Sequence, residues 1–182
     1  AAQQVTEVES DPAFMWSPRG DFLAVAGSPR GLDITGLVMF VYQNLKLVPD
    51  NETVEPITIE DHVLAFFWSP GGSKLAYVPL SQVRGVLTWN LLDLNSRVQR
   101  RLIDFIPSRN QLTMFQFFDQ FALSRSMWSP DSRAIVFAGS LADSVQASYR
   151  TQTVSSIIVS EVVPVLLVEP IAQSLLAVWS PR

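Results

Sequence analysis

FMWSPRGDFLAVAGS, residues Phe14 to Ser28, reads as a strand, a tight turn and a second strand. The apolar residues up to Trp16 form the first strand. Ser17-Pro18 ends it, because proline has no N–H to give a ladder and fixes its own φ. Arg19-Gly20 is turn chemistry, with Gly free to take positive φ. Phe22-Leu23-Ala24-Val25 then resumes as a continuous apolar run, which predicts a strand covered on both faces.

The same hairpin recurs along the chain. FFWSPGGSKLAYVPL runs from Phe66 to Leu80, SMWSPDSRAIVFAGS from Ser126 to Ser140, and VWSPR from Val178 to Arg182. Four of the five tryptophans, Trp16, Trp68, Trp128 and Trp179, therefore share one context, spaced 52, 60 and 51 residues apart. Further strands are expected between them, at Leu37–Leu47 and Thr53–Ile59, Gly85–Leu94 and Arg97–Phe105, and Thr153–Val163 and Val165–Ile171, each bounded by polar or proline-containing breaks. Four short strands in a unit of roughly 50 residues make the blade of a β-propeller. The expected fold is all-β: one domain over residues 1–182, a partial propeller of about three four-stranded blades at approximately 13–59, 64–105 and 122–171. An orphan strand stands at each end, Val5–Glu9 and Leu175–Trp179. No long amphipathic helix is expected.

The repeated Trp-Ser-Pro hairpin, at Trp16-Ser17-Pro18, Trp68-Ser69-Pro70, Trp128-Ser129-Pro130 and Trp179-Ser180-Pro181, resembles the TolB-like β-propeller repeat family, whose pattern is close to W-S-P-D-G-x-x-(I/L)-A-(F/Y). The chain departs from it where the family Asp is Arg19 and Gly71 and where the family Gly is Ser132. The resemblance implies a propeller of about six blades and a protein that is often exported and binds other proteins. With fewer blades than that, the chain is expected to be the C-terminal part of a longer protein. The rival expectation is a natural half-propeller that pairs with a second copy of itself, hiding edges that would otherwise invite aggregation.

Composition narrows the chemistry. The 182 residues carry 13 Lys and Arg against 17 Asp and Glu, a net charge of −4, and 48% are hydrophobic. Charged residues reach only 16%, which excludes a disordered tail or linker. The acidic balance argues against nucleic acid and anionic lipid as partners. Stretches without a charged residue reach 12 residues, as in Ile34 to Leu45, where a membrane-spanning helix needs roughly 20. The chain has no Cys and a single His, His62. Thiolate chemistry is absent, a transition-metal site lacks ligands, and His62 reads as a loop residue. No Gly-x-Ser-x-Gly elbow occurs, and the Gly71-Gly72 pair precedes a strand, so it forms no phosphate cradle. The clusters Asp50-Glu52-Glu55 and Glu60-Asp61 lack the alternating ligand pattern of a calcium loop. Arg97, Arg100 and Arg101 read as a solvated face. No cofactor or metal is expected.

The interval between Trp68 and Trp128 is the longest, and its excess falls between Pro107 and Ser124, with the insertion proper at 107–121. Four of the 11 phenylalanines crowd into positions 115 to 121. Met114, Phe115, Phe117, Phe118 and Phe121, with Leu112, therefore either fold back over a blade or line the propeller axis, or form a contact surface for a protein partner or for missing blades. Their spacing suits a helix or a strand. The expected function is a non-enzymatic interaction or scaffold module. The alternative is the substrate-gating propeller of a serine peptidase of the prolyl-oligopeptidase kind, its catalytic domain lying elsewhere. A propeller-fold lyase or glycosidase is disfavoured by the single His.

Overall fold

The computed structural model describes residues 11–34, 37–51, 53–122, 124, 126–142, 155–157 and 168–179. Among the described residues, ten strands follow one another in chain order as one antiparallel meander: β1 (Ala13–Trp16), β2 (Phe22–Ile34), β3 (Leu37–Pro49), β4 (Ile57–Trp68), β5 (Lys74–Pro79), β6 (Leu87–Asp93), β7 (Val98–Pro107), β8 (Phe137–Leu141), β9 (Ser155–Ile157) and β10 (Pro170–Ala172). Two short helices, α1 (Arg109–Gln116) and α2 (Phe118–Phe121), interrupt the series between β7 and β8. The fold is all-β. The expected strand Val5–Glu9, most of Thr153–Val163, and Ser180 and Pro181 lie outside the described residues.

The first two Trp-Ser-Pro segments form hairpins in the same register. Trp16 pairs with Leu23 across the first and Trp68 with Leu75 across the second. In the third the ladder shrinks to one bridge, Trp128 with Ile135, supported by the Val136 amide donating to the Met127 carbonyl at 2.9 Å. The continuous apolar runs behave as read. This holds fully for Leu75 to Val78, whereas Phe22 is half-buried and Ala134 to Phe137, though buried, is no continuous strand; Val63 to Trp68 is buried at every position too, so both faces of β5 and of the second half of β4 are covered.

Several boundaries differ from expectation. Thr53 does not start a strand, because Asn51 Oδ1 accepts from both its amide, at 2.9 Å, and its hydroxyl, at 2.8 Å, and the Asn51 carbonyl accepts from the Val54 amide at 3.1 Å. More consequentially, the break expected between residues 59 and 64 is absent. Glu60-Asp61-His62 holds no Gly or Pro to force a stop, and with β3 and β5 as successive partners β4 runs through it and changes partner on the way. Its first half pairs with β3, through Leu47 with Ile57 and Leu45 with Glu60, and its second half with β5. His62 is thus a strand residue opposite Gln43, its carbonyl accepting from the Leu80 amide at 3.0 Å. Leu175–Trp179 is not a strand. It is held singly, by Ser108 Oγ donating to the Leu175 carbonyl at 2.5 Å and by the Trp179 amide donating to Ser126 O at 2.9 Å.

The β2–β3 ribbon is bent by two bulges. Between the pairs Val25–Lys46 and Gly27–Gln43 one extra residue stands on β3, and between Gly27–Gln43 and Arg30–Val41 one extra stands on β2. Asn44 and Ser28 take positive φ there, 55° and 47°, as an extra bulge residue commonly does. Gln43 Nε2 donates to Ser28 O at 3.1 Å and ties the two together.

The insertion is helical because Ser108 caps it. Its Oγ accepts from the Gln111 amide at 3.1 Å, one of the otherwise orphaned donors of a first turn. Helical spacing then turns Leu112, Phe115 and Phe118 to one side, and α1 and α2 lie against β4, with α1 also on β8 and α2 on β1. Phe118 meets Phe66 at 4.8 Å and Tyr42 at 5.7 Å between ring centroids, and Phe115 meets Trp89 at 5.6 Å, edge to face in each case. Gln111 is fully buried in this layer, where its Oε1 accepts from the Ala138 amide at 2.9 Å.

Gly139, buried where β8 crosses the end of β7 opposite Pro107, leaves no room for a side chain. A Cβ there would overlap the Ile106 carbonyl oxygen and lie 3.0 Å from Pro107 Cα, both backbone atoms that cannot yield. Gly139→Ala is expected to cost about 2–4 kcal/mol through overpacking. Gly20→Ala, which meets nothing within 4 Å but sits at φ 74°, is expected to cost about 1 kcal/mol. Paired urea melts of the two variants check the ordering, and a smaller loss at Gly139 would show that the β7–β8 crossing can open.

Candidate functional site

The Trp-Ser-Pro turns are built alike. In each, the Ser amide donates to the carbonyl five residues on, from Ser17 to Phe22, Ser69 to Lys74 and Ser129 to Ala134, at 2.8, 2.9 and 2.8 Å. The residue three beyond Ser donates back to the Ser carbonyl and takes the left-handed conformation: Gly20 at φ 74°, Gly72 at 67° and Ser132 at 60°. Ser132 therefore adopts the conformation for which the pattern prefers Gly. Ser17, Ser69 and Ser129 are buried, and each hydroxyl accepts a backbone amide from the returning strand, while Pro18, Pro70 and Pro130 are exposed.

The partner of the Ser hydroxyl differs between copies. Ser129 Oγ donates to Asp131 at 2.5 Å in the third turn. In the first turn, where Arg19 stands in its place, Ser17 Oγ donates to Asp21 at 2.6 Å, and Arg19 closes an ion pair with Asp21 at 3.1 Å. The Ser129 hydrogen bond, followed by the Arg133 amide, holds the Asp131 carboxyl below the usual carboxylate range. Thr88 and Arg101 hydrogen-bond Asp104, and the Arg101 bond is the larger cause of that carboxyl's lowering.

Successive turns are joined through their tryptophans. Trp68 Nε1 donates to the Met15 carbonyl at 2.9 Å, and Trp128 Nε1 donates to the Phe67 carbonyl at 3.0 Å. In both cases the acceptor is the residue immediately before the Trp of the preceding Trp-Ser-Pro turn. The turns also touch directly. Gly71 N donates to Ser132 Oγ at 2.8 Å and Lys74 Nζ to Ser132 O at 2.9 Å, and the Arg19 side chain crosses over Gly72, where a Cβ would lie 2.7 Å from Arg19 Cγ. Between the three turns remains a cavity of about 220 Å³, lined by Met15, Trp16, Phe67, Trp68, Met127 and Trp128 and approached by Ala122.

The tryptophans differ in surroundings. Trp128 and Trp68 are buried, Trp16 is 43% exposed, and Trp179 is half-buried with its Nε1 enclosed and unpaired. Of the five insertion residues considered as a contact surface, Met114, Phe115 and Phe118 are in the core, Phe121 is half-buried, and Phe117 remains 36% exposed. Arg101 is bonded to Asp104, and Arg97 occupies a turn at φ 55°. Among the described residues no three His, Asp or Glu side chains gather to hold a metal ion, and no helix is long and apolar enough to cross a membrane. The acceptors Met15 and Phe67 escaped sequence reading because a backbone carbonyl leaves no mark on residue type.

Removing the indole N–H while keeping a ring, by Trp68→Phe or Trp128→Phe, is expected to cost about 1–3 kcal/mol, and Trp128→Ala about 3–5 kcal/mol. Thermal melts near those of the parent for all three would show that the tie contributes nothing. A separate expectation concerns acid. Because the folded Asp131 carboxyl lies below its unfolded value, its contribution is complete above the ordinary carboxylate pKa, near about pH 4, and is lost as the pH falls through the lowered folded value. Melting temperature followed into acid should fall less steeply in Asp131→Asn than in the parent, and equal slopes would remove Asp131 from the acid transition.

Over an alignment of 130 residues, covering 68% of this chain and 16% of the other protein, the chain is 26% identical to a subunit of eukaryotic translation initiation factor 3 from Xenopus laevis. It therefore spans about one sixth of the length of that curated relative. No family model and no solved structure matches it.

Proposed function

We propose that this chain is part of a β-propeller, with blades at about 13–59, 64–105 and 122–171, acting as a non-enzymatic interaction module within a longer protein. The observation that carries the reading is the tryptophan tie. Trp68 and Trp128 reach back one unit to equivalent carbonyls at 2.9 and 3.0 Å, so the second and third units are each set against their predecessor by the same joint. Repetition of one joint turns units about a common axis, as blades are turned in a propeller. In this reading β4 is the outer strand of the first blade and, past His62, the inner strand of the second.

The assignment to interaction is supported by how the polar groups are used. Ser17, Ser129, Asp21, Asp104 and Asp131 are engaged in holding turns and strand pairs. The similar initiation factor protein is by its name a subunit of a larger factor, which agrees with a module whose task is assembly. The resemblance of the repeats to the TolB-like pattern points the same way.

The test is isolation of the native polypeptide that contains this chain, by an affinity tag under gentle conditions, followed by native mass spectrometry and electron microscopy. A disc-shaped domain carried in a stoichiometric protein assembly is expected. A single polypeptide with hydrolytic activity that depends on this domain, or a domain without radial blades, would overturn the reading.

A further inference from the structure

We propose that Met127 is a modification site: a hydroperoxide oxidises its sulfur, and Gln111 receives the sulfoxide oxygen that results. The inference does not rest on the propeller reading. It starts from a buried amide that is poorly matched to its surroundings. Gln111 is fully buried. Its Oε1 accepts from the Ala138 amide at 2.9 Å, and because a backbone N–H can only donate, the orientation of the side chain is settled and its NH2 group faces the other way. There, among the described residues, it meets only two thioethers, Met114 Sδ at 3.8 Å and Met127 Sδ at 3.9 Å. Sulfur of this kind is a weak acceptor, so a buried donor has given up water for little in return. A sulfoxide oxygen on such a sulfur is a polar acceptor within reach of the same N–H groups.

Access separates the sulfurs. The chain holds four methionines. Met127 and Met15 line the cavity between the three turns, whose walls include the exposed Pro18 and Pro70, whereas Met39 and Met114 are buried away from it. A small hydroperoxide entering the cavity therefore reaches Met15 and Met127, and of these Met127 has the Gln111 amide beside it. A lone pair of Met127 Sδ attacks the distal oxygen of the hydroperoxide. The S–O bond forms as the O–O bond breaks, and the proton of the distal oxygen passes to the leaving oxygen, which departs as an alcohol, or as water when the oxidant is hydrogen peroxide. Sulfur loses two electrons and the peroxide gains them. The three rotatable bonds of the side chain let it turn the new oxygen toward Gln111. Oxidation of a buried methionine ordinarily places an unsatisfied polar group in a core. Here the new acceptor already has its donor. The product ties the third turn to α1, because Gln111 stands on that helix and Met127 directly precedes Trp128, whose indole makes the seam with Phe67.

The test uses the folded 182-residue chain carrying Met15→Leu, so that Met127 is the one remaining methionine on the cavity. Treated with dilute hydrogen peroxide and followed by peptide mass spectrometry, it is expected to gain oxygen at Met127 roughly tenfold faster than at Met39 or Met114. The oxidised chain should melt no lower than its reduced form. With Gln111→Leu added, which removes the NH2 group, the oxidised form should melt several degrees below the reduced form of the same variant; comparing the two forms within one variant cancels the loss of the Ala138 bond. A second readout leaves Gln111 in place: its side-chain amide proton resonances should move downfield on oxidation, and these decide the matter if the Gln111→Leu chain does not fold. Equal rates at Met127, Met39 and Met114, a chain with Gln111 that melts lower once oxidised, a folded Gln111→Leu chain that loses nothing on oxidation, or Gln111 resonances that stay where they were would each overturn the assignment. None of these results touches the propeller reading, which the electron microscopy described above decides separately.

Discussion

The structure depends on where an indole N–H can find an acceptor once its ring has been buried. A tryptophan at the end of a strand covers a large apolar area, yet its single donor carries a penalty of about 1–3 kcal/mol if it is enclosed unpaired. Trp68 and Trp128 resolve this by reaching into the preceding unit. The hydrogen bond is therefore long-range in sequence and short in space, and it constrains both translation and rotation of one unit on the next. Apolar packing alone would tolerate sliding between such smooth sheet faces. A directional bond to a backbone carbonyl does not.

That joint requires turns able to lie side by side, and the turns carry the variation. The backbone pattern is the same in all three, fixed by the Ser amide, the Ser hydroxyl and a left-handed residue three positions later. Around that pattern the side chains are exchanged for their neighbours' benefit. Arg19, which stands where the third turn has Asp131, crosses Gly72 and pairs with Asp21. Gly71 leaves its amide free to meet Ser132. Ser132 accepts the strain of positive φ, and its hydroxyl and carbonyl receive two bonds from the second turn. The departures from the repeat pattern are thus contacts between turns.

The insertion completes the core from outside the repeat. β4 has no solvent-facing side from Val63 to Trp68, and one short helix after another covers it with Phe115 and Phe118. Gln111 is the polar exception, and its carbonyl oxygen is committed to the Ala138 amide. Ser108 serves three elements at once: it caps α1, donates its amide to Ala138 O on β8 at 2.9 Å, and its hydroxyl holds Leu175. Helix, sheet and the returning chain are registered by one small residue.

The sequence by itself determined the hairpins, because their signals are local: Pro without a donor, Gly free at positive φ, and apolar runs too continuous for a half-exposed strand. It likewise determined that β-structure dominates and that the Phe-rich stretch interrupts a repeat. Tertiary structure decided what local signals cannot encode. Whether residues 59 to 64 break or continue depended on β3 and β5 offering successive partners to β4, and the polar run Glu60-Asp61-His62 is compatible with either outcome. Whether Phe115 and Phe118 face inward depended on the uncovered side of β4, since the spacing of the phenylalanines suited a strand as well as a helix. The acceptors of Trp68 and Trp128 were invisible for the plainest reason: every residue carries a carbonyl, and only folding selects which one a distant indole will meet.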